Sequence, residues 1–211
     1  MKVTKYAHAC VVLEEQGKKL VIDPGEFTPD FGSLDNIAAV VVTPVHADHW
    51  SADHLDRIFA ANPGIPFFTT SEVAEQVSYA ATKVVTAGEQ AAVGPFTLRF
   101  GGEMHATIHE SMAVPHNTTV FVNDAFYYPG DSYVLPDKPV TLLALPANAP
   151  WSKAAESMDY LAAIKPARCI PTHNGLLSKE GNAVYGFWLS KACKDNGVTF
   201  EPLQPGETTD L

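Results

Sequence analysis

The sequence predicts an α/β chain folded as a four-layer αββα sandwich. Three observations predict it: a β-meander opens the chain, strand and helix units follow, and a second meander from Phe96 again gives way to strand and helix units. Each half repeats one plan without any residue-level repeat. No Gly/Ser linker, charge block or low-complexity tract divides the chain, so residues 1–211 are expected to form one domain.

The opening segments Val3 to Ala7, Cys10 to Glu14 and Lys18 to Asp23 are rich in β-branched residues, with Glu15-Gln16-Gly17 as the hairpin turn. Asp23-Pro24-Gly25 is a sharp stop. After a polar loop, Ala38 to Thr43 supplies the continuous apolar run of a strand covered on both faces. Ser51 to Ala61 carries His54, Leu55, Ile58 and Phe59 at helical spacing, with Ser51 as N-cap. Pro66 to Thr70 reads as a strand, Ser71 to Tyr79 as a helix capped by Ser71, and Lys83 to Thr86 as a strand.

Strands then follow one another at Phe96 to Gly101, Met104 to Ile108, Thr118 to Asn123 and Phe126 to Tyr128, closed by the turn Pro129-Gly130-Asp131. Val140 to Leu145 reads as a buried strand, Lys153 to Ile164 as a helix and Arg168 to Pro171 as a strand. Asn182 to Asp195 has Tyr185, Trp188, Leu189 and Ala192 on one helical stripe, and a last strand lies near Val198 to Pro202.

Composition narrows the function. Apolar residues make up 46% and charged residues 18%, a globular balance, and no apolar run is long enough to span a bilayer. The formal net charge of −10 disfavours a basic face for nucleic acid. Cys10, Cys169 and Cys193 are too scattered for a disulfide framework, and the N-terminus lacks a signal-peptide pattern, so the cytoplasm is the expected compartment. Cys10 and Cys169, in expected strands, are read as small buried apolar residues, and Cys193 sits on the last helix.

Eight histidines, several beside aspartate, direct attention to the chemistry. His46-Ala47-Asp48-His49 directly follows the buried Ala38 to Thr43 strand, and such strand ends are where α/β sheets present ligand sites. Two imidazoles and a carboxylate are donors that a borderline divalent metal prefers. Taken alone, the cluster is equally explained by Asp48 as a turn former, His46 as a satisfied imidazole and His49 as a helix-start residue. His105, Asp131 and His173 also lie at predicted strand ends, so the six side chains can meet in one cleft.

The ordered set Tyr6-Ala7-His8-Ala9-Cys10, Val21-Ile22-Asp23-Pro24, His46-Ala47-Asp48-His49, His105, Tyr128-Pro129-Gly130-Asp131-Ser132 and Pro171-Thr172-His173 resembles the metallo-β-lactamase fold hydrolases. Within them it is similar to the small predicted metal-dependent hydrolase branch of ascorbate-phosphate lactonase-like proteins. The resemblance implies that His46 and His105 serve one metal, that Asp48, His49 and His173 serve a second, and that Asp131 bridges both. It further implies one or two Zn2+ ions, with Mn2+ or Fe as substitutes, and a metal-activated water acting on a small ester, lactone or phosphodiester. That agrees with the lack of a Gly-x-Ser-x-Gly elbow or other nucleophile motif. The partner expected is a small-molecule substrate, with neither nucleic acid nor membrane.

One position departs from the pattern. The family carries a histidine two residues before His46, where this chain has Pro44, which cannot ligate a metal. Three outcomes follow: His109 or His116 supplies the missing donor, a single metal works at the second site with Asp48 or Asp131 as base, or the fold persists as a metal-depleted, non-catalytic binding or scaffold protein. A fourth reading, redox chemistry, rests on relatives that hold two irons in this fold. His8 is either near the site or structural, His54 a surface or supporting residue, and Trp50 and Trp151 either pocket walls or packing.

Overall fold

Alternate residues of the central strands face opposite ways, and in a computed structural model of the chain the two faces bury against different partners. The structure describes every residue except Ser78 and Ala80. The first half comprises β1 (Lys2–Lys5), β2 (Val11–Glu15), β3 (Lys18–Ile22), β4 (Ile37–Val41), α1 (Ala52–Ala61), β5 (Phe67–Thr69), α2 (Ser71–Gln76) and β6 (Thr82–Val84). The second comprises β7 (Gln90–Val93), β8 (Phe96–Gly101), β9 (Thr119–Val122), β10 (Phe126–Tyr128), β11 (Leu142–Pro146), α3 (Ala154–Ile164), β12 (Arg168–Thr172), α4 (Lys179–Asp195) and β13 (Thr199–Phe200). The chain then returns to the first sheet as β14 (Thr208–Asp210), which pairs with β1.

The two sheets have matching plans, with strand orders β14-β1-β2-β3-β4-β5-β6 and β13-β12-β11-β10-β9-β8-β7. In each, an antiparallel meander passes into parallel strands, at β3 to β4 in one sheet and β10 to β11 in the other. Leu13, Ala39 and Val41 from the first sheet meet Leu98, Val122, Leu142 and Ala144 from the second in the layer between them. The intervening residues Val12, Val40 and Val42 pack under Leu55 and Ile58 of α1 and Val73 of α2. Leu143 and Leu145 do the same under Tyr160 and Leu161 of α3 and Leu189 and Ala192 of α4. The result is the four-layer αββα sandwich, each layer excluding water from the next.

Some local expectations change. Met104 to Ile108 is not a strand: Gly102 adopts φ +69, which breaks the extended run, and Met104 retains a single bridge to His116. β7 and β14 lie outside the expected strands, because Gln90–Val93 and Thr208–Asp210 owe their conformation to pairing with β8 and β1 rather than to a strong local pattern. The helix expected over Ser71 to Tyr79 stops at Gln76 with Thr70 as its N-cap, and Ser78 in the remainder lies outside the described residues. Ser51 occupies the N-cap of α1 without a side-chain cap bond. α4 begins at Lys179, because the Ser178 hydroxyl accepts the Gly181 N–H.

Candidate metal centre

The site assembles from loops that leave strand ends of both sheets. β3 delivers Asp23, the turn after β4 delivers His46, Asp48 and His49, the loop after β8 His105, the turn after β10 Asp131, and the end of β12 His173. Two glycines make the approach geometrically feasible. A Cβ on Gly25 would lie 1.9 Å from the Asp48 carbonyl oxygen, so only glycine lets this loop press against the Asp48–His49 peptide. Gly130 has φ +60, and a Cβ there would lie 2.4 Å from Asn117 Oδ1. That same Oδ1 accepts the Asp131 N–H at 2.8 Å, and Asn117 Nδ2 donates to the Pro129 carbonyl, so Asn117 fixes the turn that presents Asp131.

All six side chains singled out from the sequence converge. The ligand atoms of Asp48, His49, Asp131 and His173 lie within 4.8 Å of one another, and so do those of His46, His105 and Asp131, which makes Asp131 common to both groups. His109 and His116 stand apart: both are exposed, His109 bonded to Ser111 and His116 to Glu72 at 2.8 Å. Neither occupies the place that Pro44 leaves without a donor.

Hydrogen bonds set the tautomers of three imidazoles. His49 Nδ1 donates to Asp23 Oδ2 at 2.6 Å, His173 Nδ1 to the Asn148 carbonyl at 2.7 Å, and His105 Nδ1 to the Ala106 carbonyl. A neutral imidazole with its proton on Nδ1 presents only a lone pair at Nε2. Those three Nε2 atoms point at carboxylates: His49 to Asp131 Oδ1 at 3.1 Å, His173 to Asp48 Oδ2 at 3.1 Å, and His105 to Asp131 Oδ2 at 3.0 Å. The His49 contact lacks hydrogen-bond geometry, and His49 Nε2, Asp131 Oδ1 and His173 Nε2 are buried without a hydrogen-bond partner. Lone pairs facing carboxylate oxygens in a water-poor site call for positive charge between them, and the donor set fits a divalent cation.

The proton affinities carry the same message. Burial opposes ionisation of Asp131, yet the neighbouring His49 and His173 charges and the hydrogen bond with His105 outweigh it and hold the carboxyl well below its usual range. Asp48 is likewise held far down despite burial, by the His173 imidazole 3.1 Å away, the hydrogen bond from His8 and the His49 charge. Burial pushes the His49 and His173 imidazoles down, but the neighbouring carboxylates win, raising His49 well above its ordinary value and His173 to about 9. Protons thus take the place in which a cation would balance the carboxylates.

Two of three supporting residues carried little sequence signal, and the third, His8, read as either near the site or structural, lies beside the cluster. Asp23, fully buried, accepts from the Thr43 N–H at 2.8 Å, the Thr43 hydroxyl at 2.6 Å and His49, although Asp23-Pro24-Gly25 reads first as a turn. Its position directly after an apolar strand was the available clue. Asn117 had none. His8 accepts the Gly175 N–H on Nδ1 at 3.1 Å, which leaves Nε2–H to donate to Asp48 Oδ2 at 2.9 Å. Trp151 is buried with its ring 5.8 Å from that of His105, so it walls the site. Trp50 packs by α1 and donates to the Val45 carbonyl. His54 is buried rather than on the surface, bonded to the Thr28 carbonyl at 2.7 Å. All three cysteines are buried free thiols.

The geometry has relatives. Protein Rv0786c of Mycobacterium tuberculosis is 30% identical over 190 residues, covering 88% of this chain and 89% of its own. The metallo hydrolase Igni18 of Ignicoccus hospitalis superposes with a TM-score of 0.72 at 17% identity, over 99% of this chain and 97% of its own. CmlA of Streptomyces venezuelae, a diiron β-hydroxylase, superposes with a TM-score of 0.73 at 15% identity, over 100% of this chain and 54% of its own. Such likenesses establish the fold, which hosts more than one chemistry. Residues 2–173 match the beta-lactamase superfamily domain, and the chain belongs to that family.

Proposed function

We propose that the chain is a metal-dependent hydrolase acting on a small ester, lactone or phosphodiester. The observation that supports it most is the set of three Nδ1-anchored imidazoles aiming their Nε2 atoms at two shared carboxylates. In this reading Asp48, His49, Asp131 and His173 hold one divalent ion, and His46, His105 and Asp131 a second, zinc suiting the donors and manganese or iron substituting. What a bound divalent cation supplies is a more acidic water and a polarised substrate oxygen.

The remaining work falls to the chain's own groups. His8 pins Asp48 through Oδ2, and among the described residues Asp48 Oδ1 has no hydrogen-bond partner, which leaves it to accept a proton from the attacking water. Asp48 is thus the proposed catalytic carboxylate. Asp23, Asn148 and Ala106 hold the imidazoles in orientation, and Trp151 screens the His105 side from solvent. A small-molecule substrate in the cytoplasm suits the net charge of −10, which repels nucleic-acid backbones. Among the described residues no helix is long and apolar enough to cross a membrane.

The test is hydrolysis of an aryl ester, a lactone and a bis-aryl phosphodiester, with and without chelator, by wild type and His49→Ala. At least one activity is expected to fall by about 100-fold or more on chelation or substitution. Activity indifferent to both would overturn the proposal.

Pro44 favours a second reading, a binding or scaffold protein with a depleted first site. His46 Nδ1 stands 3.8 Å from Asp131 Oδ2, and the His46 side chain is 35% exposed, so this group is the looser of the two. A scaffold that takes no metal shows no rise in melting temperature with added Zn2+ or Mn2+, whereas a native-state ligand raises it.

A further inference from the structure

A cavity of about 740 Å3 lies between β1, the loop after β12, α4 and the segment from Phe200 to Pro205. Val3 on β1 faces the layer between the sheets, and Lys5, two residues along, faces the same way. Lys5 is only 1% exposed, and it lines this cavity. Its ammonium donates to the Tyr6 carbonyl at 3.0 Å, and among the described residues no carboxylate lies within ion-pair distance. A lysine buried this deeply is ordinarily paired with an acid. Here one donor is used and two remain.

The surroundings fit an anion with an apolar body. Ala183 and Gly186 keep the α4 wall low, and a Cβ on Gly186 would meet nothing within 4 Å. Leu177, Phe200 and Pro202 add apolar wall. In a chain of net charge −10, the described lining has two lysines, Lys5 and Lys179, and no acidic side chain. The volume lies in the range of small-molecule sites.

We propose that this cavity binds a small amphiphilic monocarboxylate, its carboxylate on the Lys5 ammonium and its apolar body between α4 and the Phe200 to Pro202 wall. One ammonium with two unused N–H donors matches a singly charged, two-oxygen head group. Burial draws the Lys5 pKa down to about 8, against a smaller opposing influence of Cys10, so an arriving anion also relieves the cost of keeping the ammonium charged. His8 forms part of the wall and holds Asp48, so one hydrogen bond of 2.9 Å separates the occupant from the metal centre.

The experiment is calorimetric titration of the full chain with octanoate, with octanamide as the uncharged counterpart. Wild type is expected to bind octanoate saturably, with octanamide at least about tenfold weaker. Lys5→Met keeps the aliphatic stem and removes the charge, and Gly186→Leu fills the cavity from an unobstructed helix position. Each is expected to weaken octanoate by about tenfold or more. Circular dichroism checks the fold, and Gly186→Leu carries the test if Lys5→Met fails to fold. Repeating the titration with chelator separates this site from the metal centre: binding that persists supports the cavity, and binding lost on chelation overturns it. The proposal also fails if octanoate does not bind at millimolar concentration, if octanamide binds as well, or if a folded variant binds like wild type.

Discussion

Asp23 Oδ2 accepts the Nδ1 proton of His49 at 2.6 Å, with both side chains out of contact with water. The bond fixes which imidazole nitrogen is left for a cation. Asp23→Ala is expected to weaken metal affinity by about 10- to 100-fold. It also strands the Thr43 N–H, the Thr43 hydroxyl and His49 Nδ1, at a cost to folding of about 3 kcal/mol. Competition with a chromophoric chelator reads the first effect and denaturant unfolding the second. Unchanged affinity in a folded variant would refute the orienting role.

The pH dependence has a definite sign. In metal-free protein, His173 is raised from 6.5 to about 9. Its contribution to stability is therefore complete below pH 6.5 and lost as the pH climbs through about 9. Asp48 and Asp131 are depressed, so their contribution is complete above the ordinary carboxylate range and disappears only in strong acid. Chelator-treated protein should thus melt at a lower temperature at pH 9 than at pH 6.5. Metal uptake should release protons and tighten over the same window, because the ion displaces them from His49 and His173. Calorimetry in two buffers of different ionisation heat measures that release, and no buffer dependence would count against it.

The two candidate ligand groups are unequal, with four residues against three. Metal titration is expected to show a tight first equivalent, abolished by His173→Ala, and a weaker second, lost in His105→Ala. Pro44→His adds an imidazole two residues before His46, and should tighten the second equivalent by about tenfold or more. Two equal equivalents in wild type, or no gain in Pro44→His, would contradict this ordering.

Gly130→Ala puts a methyl group 2.4 Å from Asn117 Oδ1 and 2.6 Å from Thr43 Oγ1 at a φ of +60. A loss of about 2 kcal/mol or more is expected in chemical denaturation, with metal affinity falling as Asp131 is displaced. A variant as stable as wild type would show that the turn has slack.

The layers were legible because Ala38 to Thr43 and Val140 to Leu145 are long enough apolar runs to demand cover on both faces. The six clustered side chains were legible for a related reason: each follows a strand or begins a turn, and strands of one sheet finish along a shared rim. What escaped depended on distant partners. Asn117 acts only because its amide bridges Pro129 and Asp131. The carbonyls of Asn148 and Ala106 carry no side-chain signature. Donor type alone likewise could not place His109 and His116, which the loop turns outward toward Ser111 and Glu72.

Because His46, Asp48 and His49 come from one sheet and His105, Asp131 and His173 from the other, an ion held by them would act as a clasp across the rim of the sandwich. Filling it would add a tie at the rim to two sheets already joined by their shared apolar layer. Emptying it would let that rim breathe, so amide exchange at the ends of β4 and β12 should quicken in step.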